Sequence, residues 1–145
     1  MSLDRIVVGV DGSGGGLHAL GWTVPVARAL GAEVILVRWY DPMVEMMATS
    51  ERMEFDELRQ MAEARLSGPW AQPVVDAGVA CRSVLAEGDD GAAALIGVAL
   101  DNEAGLIVIG NVGLTGWRER IVGSFAARVL QMSSVPVTVV PQPRP

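Results

Sequence analysis

The sequence predicts an α/β protein built on an open five-stranded parallel sheet with helices on both faces. Three observations carry this. The β-branched runs at 6–10, 34–37 and 106–109 are continuously apolar, as strands covered on both sides are, rather than alternating. Segments of helical period stand between the runs, and each apolar run ends in a glycine, aspartate or proline turn.

Ile6–Val10 reads as the first strand, stopped by Asp11-Gly12-Ser13-Gly14. Leu17, Leu20, Val24, Ala27 and Leu30 then recur at helical spacing, with Ser13 as N-cap and Gly31 as the terminating glycine. Val34–Val37 is the second strand, ended by Tyr40-Asp41-Pro42. From about Val44 to Leu66 the pattern predicts one long, methionine-rich helix closed by Gly68-Pro69. Val79–Leu85 alternates as an outer strand does, and Glu87-Gly88-Asp89-Asp90 caps a helix through Ala92, Leu95, Ile96 and Ala99. Leu106–Ile109 is the fourth strand. Ser124 is placed to cap a helix through Phe125, Val129 and Leu130, and Val135–Val140 forms the last strand, where Pro136 suits a sheet edge. Five strands thus alternate with four helices in one domain spanning 1–145.

Composition removes several function classes. The 145 residues are 50% hydrophobic, enough for a core, and no apolar run approaches the ~20 residues of a membrane helix. Net charge is −6, and every one of the 11 basic residues is arginine. Without lysine there is no Walker A loop or Schiff base, and the acidic balance argues against nucleic acid. Cys81 and His18 are single, which excludes an intrachain disulfide and a Cys/His zinc cage and points to a reducing compartment. Met-Ser-Leu-Asp-Arg leads directly into the first strand without a signal-type apolar stretch, so a cytoplasmic protein is expected.

In a sheet of this kind ligands sit outside the carboxyl ends of the strands where strand order reverses. That brings Asp11, the Trp39-Tyr40-Asp41 corner and the loop after Ile109 into one region. The loop from Gly110 to Ser124 is suited to phosphate: Gly110 and Gly113 let the backbone approach a ligand, while Gly123, Ser124 and Phe125 offer amides at a helix start, and Ser124 adds a hydroxyl. The helix dipole supplies only about 0.3–1 kcal/mol. Micromolar binding requires about −8.2 kcal/mol, so charge-assisted hydrogen bonds and burial of a base must supply the rest.

Gly110-x2-Gly113-x9-Gly123-Ser124 resembles the ATP-binding signature of the universal stress protein family. Val8–Ser13 is similar to that family's first strand and turn, Gly88-Asp89 to its turn before the third helix, and Val135–Val140 to its last strand. The resemblance implies a Rossmann-like, adenine nucleotide alpha hydrolase-like sheet that binds ATP with a magnesium ion. Gly9, Val10 and Asp11 would lie beside base and ribose and Trp39 at the corner of the second strand. Gly110, Gly113, Gly123 and Ser124 would hold phosphates, with Ile109, Asn111 and Phe125 flanking them. Asp11, acceptor-only when ionised, suits a ribose hydroxyl or the metal. The resemblance also implies a homodimer through the last strand.

Two positions depart from the family. Asn111-Val112 stands where a polar residue and a histidine or arginine are usual, leaving Arg118 or Arg120 as the replacement cation. Trp39 replaces a small apolar residue, and either stacks on adenine or fills its pocket. The expected function is that of a nucleotide-responsive stress regulator. No general base or lysine stands near the loop, so no catalytic residue is assigned and any ATP hydrolysis is slow. A dimeric interaction module that binds no nucleotide and a slow ATP-hydrolysing enzyme are the alternatives. Gly14-Gly15-Gly16 lies too far from the first strand for a dinucleotide fingerprint, His18 and Cys81 read as structural, and the methionines pack or present a partner surface.

Overall fold

A computed structural model describes residues 2–111 and 123–143. The strands β1 (Arg5–Gly9), β2 (Glu33–Tyr40), β3 (Cys81–Glu87), β4 (Leu106–Gly110) and β5 (Val137–Val140) form one parallel sheet in the order β3-β2-β1-β4-β5. β1 lies at the centre, with Val7 opposite Ile35 on one side and Ile107 on the other. The expected α/β architecture is the observed one.

Alternation along the strands divides the core into two layers. Ile6, Val8, Val34, Leu36 and Val108 face α1 (Gly14–Leu30) together with Leu66, Ala71 and Val74. Val7, Ile35, Val37, Ile107 and Ile109 face α5 (Gly91–Asp101) and α6 (Ser124–Met132). Both faces are covered, which is why these strands carry apolar residues without alternation.

α1 begins at Ser13, whose Oγ accepts from Gly16 N at 3.2 Å, and ends at Gly31 with φ 65°. Its buried side is the expected one in part, since Leu20 and Ala27 are buried and Val24 packs against the core. Leu17 and Leu30 are exposed, and Ala19, Leu20, Thr23 and Ala27 face the sheet, because small residues let the helix lie close to β1 and β4. Thr23 is accommodated by donating its hydroxyl to Ala19 O at 2.8 Å.

The long helix expected over 44–66 is in fact two. Asp41 accepts from Met43 N and Val44 N and starts α2 (Pro42–Ala48), with Pro42 in the first turn. Thr49 is extended, and a reciprocal cap between Glu54 and Glu57 starts α3 (Phe55–Ser67). The Thr49-Ser50 pair favours local side-chain bonds over helix, and two capping carboxylates supply a new start, so the periodic pattern is cut. A short α4 (Gln72–Asp76), with Pro73 in its first turn, also stands where no helix was expected. β3 and β5 each start two residues later than predicted. Pro136 precedes β5 and uses only its carbonyl, accepting from Ile107 N at 2.9 Å.

Candidate functional site

Sheet order reverses between β1 and β4, and their carboxyl ends open at one edge. On the β1 side, Val10 N donates to Val37 O at 2.9 Å, and Asp11 Oδ1 accepts from Ser13 N at 2.9 Å, which orients the carboxylate at the turn. Gly12 takes φ +82°, and Trp70 packs so tightly on it that a Cβ there would meet Cζ2 at 2.6 Å. Trp70 in turn lies under the Arg38 guanidinium, 5.6 Å from the ring centre, and Arg38 pairs with Glu45 of α2 at 2.5 Å. Trp70 thus forms a wall beside Asp11 that no local pattern announces, since it comes from the segment between α3 and α4.

On the β4 side, the glycine logic differs from expectation. A Cβ on Gly110 would stand 2.7 Å from the Gly15 carbonyl oxygen, so this glycine is required by the close passage of α1 across the end of β4. Gly9 is likewise a packing position: a Cβ there would meet Ile109 at 3.2 Å and Leu95 at 3.3 Å. The Ile109 and Val10 side chains are buried in the core. These residues reach the crevice with backbone atoms only.

Asn111 ties the chain where the loop leaves and returns. Its amide donates to Val140 O at 3.2 Å, its carbonyl accepts from Gly123 N at 2.8 Å, and its Oδ1 accepts from Gln142 N at 3.4 Å. The Gly123 amide, expected to face a ligand, is therefore engaged. Gly123 stands at the cap position of α6 and no side chain caps it, so Ser124 is the first helical residue rather than the cap. Ser124 and Phe125 are exposed there, and the amides of a first turn lack partners inside the helix. Gly113, Val112, Arg118 and Arg120 lie outside the described residues.

Trp39 is fixed. Its Nε1 donates to Gly88 O at 2.7 Å, and its ring lies over Gly91, where a Cβ would come within 3.1 Å of Cγ and 3.3 Å of Phe125 Cε2. Two half-open aromatic side chains, Trp39 at 36% and Phe125 at 42% exposure, thus meet above one glycine. The same corner is braced by Asp90, which caps α5 through Ala92 N and Ala93 N and pairs with Arg128 of α6. Asp90 was legible as a cap, whereas its pairing with Arg128 is made only by α5 and α6 meeting.

Among the described residues no three His, Cys, Asp or Glu side chains converge as a metal cage, so a cation here would depend on Asp11 together with a ligand's own oxygens. Burial pushes the Cys81 thiol up, with Glu33 adding to the effect. Burial likewise raises Tyr40, followed by the charge of Glu45. No helix among the described residues is long and apolar enough to cross a membrane.

Known proteins share this fold. A universal stress protein of Methanocaldococcus jannaschii is 29% identical over 142 residues, covering 97% of this chain and 83% of that protein. A solved universal stress protein in complex with cAMP is 27% identical, with a TM-score of 0.72 over 97% of this chain and 98% of the other. One from Archaeoglobus fulgidus in complex with dAMP superposes at 0.69 with 23% identity, over 96% and 98% of the two chains. The model of the universal stress protein family matches residues 2–141, nearly the whole length, and this chain belongs to the universal stress protein family.

Proposed function

We propose that this chain binds ATP with a divalent cation in the crevice between β1 and β4 and acts as a nucleotide-responsive regulator in the cytoplasm. The carrying observation is the Asn111 O–Gly123 N closure, which holds the start of α6, with the Ser124 hydroxyl, at the sheet edge that also carries Asp11. Anionic phosphates suit that helix start, where amide dipoles and a hydroxyl favour negative charge. A base suits the Trp39–Phe125 corner, because the indole is anchored by Gly88 and loses little freedom when a ring rests on it. The complexes of two relatives with cAMP and dAMP support an adenine ligand.

Asp11 fits a magnesium ion as a single carboxylate completing a shell of phosphate oxygens and water, and the ion would offset phosphate charge. Asp11 and Ser124 bind and orient in this reading. No described side chain is assigned the role of general base, and turnover is slow.

β5 has one neighbour in the sheet, which leaves its outer backbone groups for a second copy and supports a homodimer through the C-terminal strand. The test is calorimetric titration of nucleotide-stripped protein with ATP and magnesium, beside a Gly123→Val, Ser124→Ala double variant. One ATP per chain, lost in the variant, supports the reading. A folded protein that takes up no ATP overturns it in favour of an interaction module.

A further inference from the structure

The charge of this protein is concentrated. Residues 41–63 hold seven carboxylates against Arg52 and Arg59, which is −5 of the chain's −6, together with five of its seven methionines. Arg59 is already engaged by Glu63 and Glu87.

α2, the first helix in this segment, buries none of its residues. A seven-residue helix does not persist by propensity, and this one is held by the Asp41 cap, Pro42 and the Arg38–Glu45 pair. What it displays is apolar. Met43, Val44 and Met47 are 60%, 47% and 83% exposed, and spacings of three and four residues put them on one side of the helix. Glu51, Glu54, Asp56 and Glu57 follow, all exposed.

We propose that this methionine face docks a basic amphipathic helix of a partner protein. Flexible, polarisable thioethers adapt to an apolar stripe, and the carboxylates complement a cationic rim, the pairing used where helices lie on methionine-rich surfaces. Charge selects the occupant: a second copy of this chain would bring two segments of −5 together. The proposal stands independently of nucleotide binding.

The test is fluorescence anisotropy with a labelled peptide of about 18 residues built from Leu and Arg at amphipathic spacing. A scrambled peptide of the same composition and an equivalent with Glu for Arg are the comparisons, and a Met43→Gln, Met47→Gln variant is titrated beside the natural chain. Both substitutions are on exposed positions, and an unchanged circular dichroism melt verifies the fold. The amphipathic basic peptide is expected to bind one per chain, to weaken as salt rises, and to lose about tenfold in the variant. Equal binding of the scrambled peptide, unchanged affinity in the variant, or self-association abolished by the same substitutions would each overturn it.

Discussion

Gly110→Ala separates two meanings of a glycine in a ligand-binding signature. If this position is glycine only so that phosphate can approach, alanine should impair binding and leave the fold intact. The structure gives the opposite order of effects. The new methyl would stand 2.7 Å from the Gly15 carbonyl oxygen and 2.8 Å from its carbon, both backbone atoms at the start of α1. Ordinary contact lies several tenths of an ångström further out, so α1 or β4 must move, and overpacking of this kind costs roughly 1–3 kcal/mol. With an unfolding entropy of about 2.1 cal/mol/K per residue, that lowers Tm by roughly 3–10 °C for a chain of this length. Gly97→Ala is the control, because nothing lies within 4 Å of its Cβ position and alanine is the better helix former, by about 0.5–1 kcal/mol. Thermal melts of both variants without nucleotide, followed by circular dichroism, should move in opposite directions. A Gly110→Ala protein melting at or above the natural chain would refute the packing argument and return the glycine to the ligand.

Ser124→Ala should weaken ATP by about tenfold to a hundredfold in titration calorimetry, the loss of one hydrogen bond to a charged group, and an unchanged Kd removes the hydroxyl from the site. Tyr40 is buried and its hydroxyl finds no partner among the described residues, so Tyr40→Phe should stabilise the protein by about 1 kcal/mol in urea melts. The Tyr40 phenol and the Cys81 thiol are both raised in the fold, from ordinary values of 10.0 and 9.0, so their contribution is complete below pH 9.0 and is lost as pH rises through the raised values. The Tyr40→Phe variant should therefore lose less stability in that alkaline range, and identical pH profiles would count against the burial effect. Asp90→Ala removes the α5 cap and the Arg128 pair and should cost about 0.5–2 kcal/mol, read from the chemical-denaturation midpoint. For the proposed dimer, light scattering should give twice 15.3 kDa for the natural chain, and Val139→Pro on β5, which removes an amide on the side away from β4, should return it to one chain's mass.

Local physics is written in sequence, and where an element depends on its neighbours in the chain it was legible. Unbroken apolar runs identified three of the strands because burial on both faces leaves no polar register. Ser13, Gly31 and Asp90 marked helix ends because capping is a contact over four residues or fewer. That the sheet is parallel and covered on both faces followed from the alternation of strands and helices along the chain.

Contacts between distant segments were not legible. The pattern from Met46 to Leu66 is helical throughout, yet competing caps at Thr49 and Glu54 divide it, and periodicity does not weigh one helix against two capped ones. Gly110 and Gly123 look alike in a motif, but one is set by the carbonyl of Gly15 and the other has its amide on Asn111, a distinction made by α1 and β4 meeting. Trp39 could stack or fill; its bond to Gly88 and its seat on Gly91 come from β3 and α5 arriving beside β2. Sequence alone therefore determined the five strands and the helices α1, α5 and α6, because these depend on backbone and burial preferences of adjacent residues. Only the tertiary structure decided which amides, rings and glycines are engaged by the protein itself, because that depends on distances between segments far apart in the chain.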